Sequence, residues 1–162
     1  MVKYVSEKIK MRANARLAAV QATYMIDYGQ LPVDQVIKDF ENGEVGRHVI
    51  AEDELTAEEE LVEVGELDHA YFADLVRAVH KNKEGIEKSL SHYLNEKWSL
   101  DKMDGTLKSL LLCASYEIIN NLEIDVKVLI QEYVDLGYAF FNKNEPKMIN
   151  ALLDLISREA RS

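Results

Sequence analysis

The sequence predicts an all-α protein of about seven helices, and three observations predict it. Apolar residues recur at three- and four-residue spacing along most of the chain. Seven glycines and two prolines in 162 residues are too few for a turn-dense sandwich. No segment alternates apolar and polar residues long enough for a sheet; His48-Val49-Ile50 is the best short strand candidate. The apolar content of 48% excludes a disordered chain, and the length suffices to bury roughly two-thirds of the unfolded surface. Residues 1–162 read as a single helical domain, because no Pro- or Gly-rich linker divides them.

The first helix is placed at residues 8–29, with Ala13, Leu17, Val20, Tyr24 and Tyr28 at spacings of four, three, four and four as its buried stripe. Lys8 and Arg12 then point nearly opposite the stripe, Arg16 lies on its flank, and Gly29 is a left-handed cap. A short helix follows at 31–41 on Val33, Val36, Ile37 and Phe40. Residues 42–66 hold Gly43, Gly46, Gly65 and two runs of acids and read as a surface insertion, with a helical turn or two near Leu55–Val64. Asp68 caps a third helix on Tyr71, Phe72, Leu75, Val76 and Val79. A fourth runs from Asn82 to Asn95 on Ile86, Leu90, Tyr93 and Leu94, and Trp98 and Leu100 plug the loop after it. Leu107–Ile119 is apolar on nearly all sides, the mark of a central helix. Asp125 caps a sixth helix whose two apolar stripes demand neighbours on both sides, with Gly137 admitting a close one. Glu145-Pro146 opens the last helix, which faces inward through Ile149, Leu152, Leu153 and Ile156.

The formal charge of −10 argues against a nucleic-acid binder until it is divided. Residues 1–24 carry Lys3, Lys8, Lys10, Arg12 and Arg16 against Glu7 alone, a net +4. Residues 25–70 carry fourteen acids against Lys38 and Arg47, a net −12, and the remainder carries −2. The N-terminus is a basic arm of opposite sign to its neighbour, which points to an anionic partner there. Lys143, Asn144, Lys147, Met148 and Asn150 form a second cluster at the start of the last helix, where free N–H groups and the dipole favour phosphate.

Signs of catalysis are few. The glycines form no phosphate-cradling loop, and Cys113 sits in the most apolar helix as a buried thiol. His48, His69, His80 and His92 lack zinc-site spacing, so no metal and no cofactor is expected. Asp104, Glu117 and Glu132 read as caps or helix-surface partners. No apolar run is long enough to span a membrane and no signal core opens the chain, so a cytoplasmic protein is expected.

Four segments resemble the NusB transcription antitermination family. Arg12-Ala13-Asn14-Ala15-Arg16 followed by Ala19-Val20-Gln21-Ala22-Thr23-Tyr24 is similar to its arginine-rich opening. Leu107-Lys108-Ser109-Leu110-Leu111 with Ala114-Ser115-Tyr116-Glu117 is similar to its central helix. Val128-Leu129-Ile130-Gln131-Glu132-Tyr133-Val134 and Met148-Ile149-Asn150-Ala151-Leu152-Leu153-Asp154 resemble the next two motifs in order. The resemblance spans residues 12–154 and implies two small packed bundles without catalysis. It implies joint binding, with the ribosomal protein NusE, of boxA-type RNA in nascent ribosomal-RNA transcripts, within the RNA polymerase antitermination complex.

Carried over by position, Arg12 and Arg16 are phosphate contacts, with Lys8 and Lys10 adding charge to the arm. Lys147 and Asn150 contact RNA at the last helix, and Tyr24 faces NusE. The chain departs from the pattern at Ala13 and Asn14, where basic residues are usual, and at Met148, where an aromatic would stack on a base. Ala151 stands for a glycine, Gln131 for an asparagine and Asp125 for a proline. The sparse arginines leave an alternative, a helical protein–protein scaffold or homodimer with weakened RNA binding. A third reading follows from the resemblance of such bundles to the N-terminal domain of ribosomal-RNA cytosine methyltransferases.

Overall fold

A computed structural model describes residues 2–43, 48–52, 59–63 and 66–161. Among these residues there are six α-helices and one small hairpin, and the chain divides into two compact units, Met1–His80 and Lys81–Ser162. The architecture is all-α, as the periodicity predicts.

The first unit contains α1 (Val2–Gly29), α2 (Val33–Glu41), the strands β1 (His48–Glu52) and β2 (Glu59–Glu63), and the first half of α3 (His69–Tyr93). Helix α1 buries Ala15, Ala18, Ala19, Ala22 and Ile26. At about 100° per residue this face lies nearly opposite the predicted stripe. Of that stripe only Val20 is buried; Ala13 and Leu17 are half-buried, and Tyr24 and Tyr28 are exposed. Alanine adds little to an apolar pattern but lets a neighbour come close, so the packing face is the one with small side chains. Gly29 is the last helical residue, and the left-handed position falls on Gln30 at φ 54°. Helix α2 buries Val36, Ile37 and Phe40 as predicted, and the Phe40 ring meets Phe72 of α3 at 5.2 Å. Gly43, at φ 73°, closes α2 with an N–H bond to the Phe40 carbonyl.

Among its described residues the insertion forms antiparallel strands, so residues 59–63, within the stretch expected to hold a helical turn or two, are extended. Val49 pairs with Val62 and Ile50 with Leu61 in the β1–β2 register. The three residues His48-Val49-Ile50 do not make a sheet alone; the partner that completes the pairing lies about twelve residues further on, beyond any local pattern. Residues 44–47, 53–58 and 64–65, the rest of the predicted insertion, lie outside the described residues.

Helix α3 is continuous where two helices were expected. The segment His80-Lys81-Asn82-Lys83-Glu84-Gly85 has no proline, and one exposed glycine costs only about 1 kcal/mol relative to alanine. Asp68 caps it as predicted, accepting from the Tyr71 N–H at 3.1 Å.

The second unit contains the rest of α3, two 3-10 turns (Glu96–Trp98 and Leu100–Lys102), α4 (Gly105–Asn120), α5 (Val126–Phe140) and α6 (Asn144–Ala160). Asp104 caps α4 through the Thr106 and Leu107 N–H groups, at 2.8 and 3.2 Å, and Asp125 caps α5 through Lys127 at 2.8 Å. Helix α4 is buried from Ser109 to Ser115 without interruption. Glu117, expected as a cap or surface partner, is instead buried, accepting from the Tyr133 hydroxyl and from Asn121 Nδ2. At the far end Arg161 donates to three backbone carbonyls: Ile118 at 2.9 Å, Ile124 at 2.7 Å and Asn121 at 3.0 Å. Among the described residues no helix is long and apolar enough to cross a membrane.

Helices α5 and α6 meet at Gly137, where an added Cβ would stand 2.7 Å from Ile149 Cδ1. Overpacking at fully buried Ile149 costs about 1–3 kcal/mol and outweighs the roughly 1 kcal/mol of helix propensity that alanine adds. Gly137→Ala is therefore destabilising in the native background. In an Ile149→Val background, which lacks that methyl, the same change becomes neutral or stabilising, as urea unfolding of the double-mutant cycle would show.

Candidate nucleic-acid interface

Each unit carries one of the two groups of cationic residues that the sequence singles out. On α1, Lys8 and Lys10 are exposed, and among the described residues no carboxylate pairs with either. One and two turns on, Arg12 and Arg16 share the ring of Tyr71. Their guanidinium carbons lie 5.2 and 5.1 Å from its centroid, and Arg16 Nη2 donates to the Tyr71 hydroxyl at 2.8 Å. Arg16 is only 3% exposed, so the expected direct phosphate contact does not fit its position; it supports the site from beneath. Arg12 is half-buried, and its Nε has no hydrogen-bond partner among the described residues.

Tyr71 is held in place by the start of α3. Its N–H is bound by Asp68, and the Asp68 N–H donates in turn to the Met11 carbonyl at 3.1 Å. Asn14 Nδ2 adds a bond to the Glu66 carbonyl at 2.7 Å. The arm is thereby fastened to a segment more than fifty residues away, which explains why the sequence shows Tyr71 only as a core position. Farther along α1, Tyr24 and Tyr28 stack at 4.9 Å while 42% and 49% exposed.

In the second unit, a groove of about 380 Å³ runs between the start of α6 and the 3-10 turn at Glu96–Trp98. Lys147, Met148, Asn144 and Ala151 line one side, and Lys97 and Trp98 line the other. Asn95 sets the turn by accepting from the Lys97 and Trp98 N–H groups at 3.0 and 3.3 Å. Asn150 is exposed but does not line the groove; helical geometry puts it on the outer flank of Lys147. Tyr93, at the groove's edge, donates to Glu159, and that bond, with burial and the nearby charge, raises the phenol's pKa. A larger hollow of about 880 Å³ mixes Glu84, Glu87 and Asp101 with Lys88 and Lys108, and Lys108 is bound to Glu87 at 2.8 Å, so it offers no preference for anions. Among the described residues no three potential metal ligands gather. Trp98 and Tyr71 are the residues that sequence reasoning did not assign to either site.

Fold and surface together define a mainly helical module whose two candidate sites gather cations, aromatics and amides. The chain belongs to the NusB family: the family model matches residues 13–158. It is 36% identical over 152 residues to the transcription antitermination protein NusB of Novosphingobium aromaticivorans, covering 94% of this chain and 96% of that one. The protein of the same name from Allorhizobium ampelinum is 32% identical over 150 residues, covering 93% and 88%. A solved structure of T. maritima NusB shares the fold, with a TM-score of 0.70 at 23% identity and 93% coverage of both chains.

The paired guanidinium groups make Tyr71 a stability determinant. Tyr71→Phe keeps the ring but removes the acceptor for a buried charged donor, and should cost about 1–3 kcal/mol in urea unfolding. Tyr71→Leu removes both ring contacts as well and should cost more.

Proposed function

We propose that the chain binds boxA-type RNA of nascent ribosomal-RNA transcripts together with NusE, in the cytoplasm, as part of the RNA polymerase antitermination complex. It acts by binding and holds no cofactor or metal. The observation that carries this reading is the basic arm: exposed Lys8 and Lys10 and half-buried Arg12 lie close in sequence on α1, in a chain whose net charge is −10. An acidic protein with such an arm repels polyanions except along it, so binding is selective and is helped by a second protein. Arg16 and Tyr71 support Arg12 from below. Lys147 and Asn150 meet the strand at α6, beside Met148.

The exposed Tyr24–Tyr28 stack supports the assignment of Tyr24 to the NusE-facing surface, extended by Tyr28. The same pair also favours a second reading, a helical scaffold or homodimer that meets proteins alone. A gel-shift of boxA RNA at low salt, with and without the NusE homologue, separates the two. A shift that the homologue strengthens supports the first reading; no shift, with a dimer in light scattering, supports the second.

Removing the arm charges has a defined signature. Lys8→Ala, Lys10→Ala and Arg12→Ala combined should weaken RNA binding and flatten its salt dependence by about 0.7 log unit per lost phosphate contact. Arg16→Ala should chiefly lower the unfolding midpoint and move the slope less.

A further inference from the structure

We propose that Trp98 is a base-stacking platform: one unpaired base of the bound single-stranded RNA lies in the groove on the Trp98 indole, facing Met148, with Lys97 and Lys147 on its phosphates. The inference rests on the RNA-binding reading above and extends it to a residue outside the family motifs quoted. The start of the last helix carries Met148, which is not aromatic. The structure brings an aromatic to the same groove from a different element, the turn that Asn95 caps.

Trp98 is half-buried and lines the groove. Every base has a π face, so an aromatic beside a polarizable thioether suits a single-stranded chain of any sequence. The rim supplies the charge. Lys97 and Lys147 line the groove, no described carboxylate does, and neighbouring Glu159 is engaged by Tyr93. On a chain of net charge −10 this is a local selector for polyanions over acidic or neutral protein segments. The volume of about 380 Å³ falls in the range of ligand-sized clefts. Lys97 Nζ now lies 5.6 Å from the indole centroid. An exposed ammonium–ring contact is weaker than base stacking on the same face, so a base displaces it and the lysine swings to a phosphate.

The chain has one tryptophan, so its intrinsic fluorescence reports this groove directly. The whole protein with its NusE homologue is titrated with boxA-type RNA at low salt, the homologue's own emission being subtracted. Tryptophan emission should quench with the same midpoint as the gel shift. Trp98→Leu should weaken binding about tenfold while circular dichroism and the arm-dependent salt slope persist, and Trp98→Phe should stay within about twofold of the native chain. A normal shift without quenching, or an undiminished affinity in Trp98→Leu, overturns the platform and leaves the RNA-binding reading intact. Quenching by the homologue alone, indifferent to RNA, makes the groove a protein contact and overturns it as well. Absence of any RNA shift overturns both.

Discussion

A helix without a polar face can exist in water only if other elements surround it, and α4 imposes that demand on the whole second unit. Its run from Ser109 to Ser115 is buried on every side. The apolar effect sets the need, but polar groups set the register. Asp104 ties the N-terminal N–H groups, Arg161 gathers carbonyls in the last turn of α4 and just past it, and Glu117 meets Tyr133 across the α4–α5 interface. A buried carboxyl so placed depends on its donors, since a buried acceptor left without one carries its full desolvation cost. Helices α5 and α6 are the enclosing walls, and Gly137 sets how close they stand.

What was legible in the sequence was what is encoded within a turn or two. The three aspartate caps, the all-apolar α4, the inward face of α6 and the close approach at Gly137 each rest on local signals. The family motifs, which extend across α1, α4, α5 and α6, supplied the rest of the topology. Long-range features were hidden. The packing face of α1 is made of alanines, whose low hydrophobic contrast let Tyr24 and Tyr28 suggest the opposite face. Continuity of α3 through Gly85 depends on the absence of a strong breaker, and the hairpin depends on a partner strand outside any short window.

The candidate site divides along the same line. Charge segregation is additive along a sequence, so the arm and the α6 cluster could be located by counting. Accessibility is not additive. Arg12 and Arg16 lie one turn apart on the same helix, yet one is half-buried and the other is nearly sealed against Tyr71. Trp98 read as a loop plug because its neighbours in sequence say nothing about α6 lying opposite. Three-dimensional closure converts a plug into the wall of a groove.

The reach of Arg161 also has a consequence in time. Its three carbonyl partners precede it by 43, 37 and 40 residues. The first unit is a compact cluster within the first eighty residues, so it can fold while the ribosome is still reading α4. The second unit cannot bind these three carbonyls through Arg161 until residue 161 has emerged. Until then a strongly apolar helix waits with its exit end open. The order of synthesis thus presents the basic arm and its tyrosine support first, and closes the groove-bearing unit last.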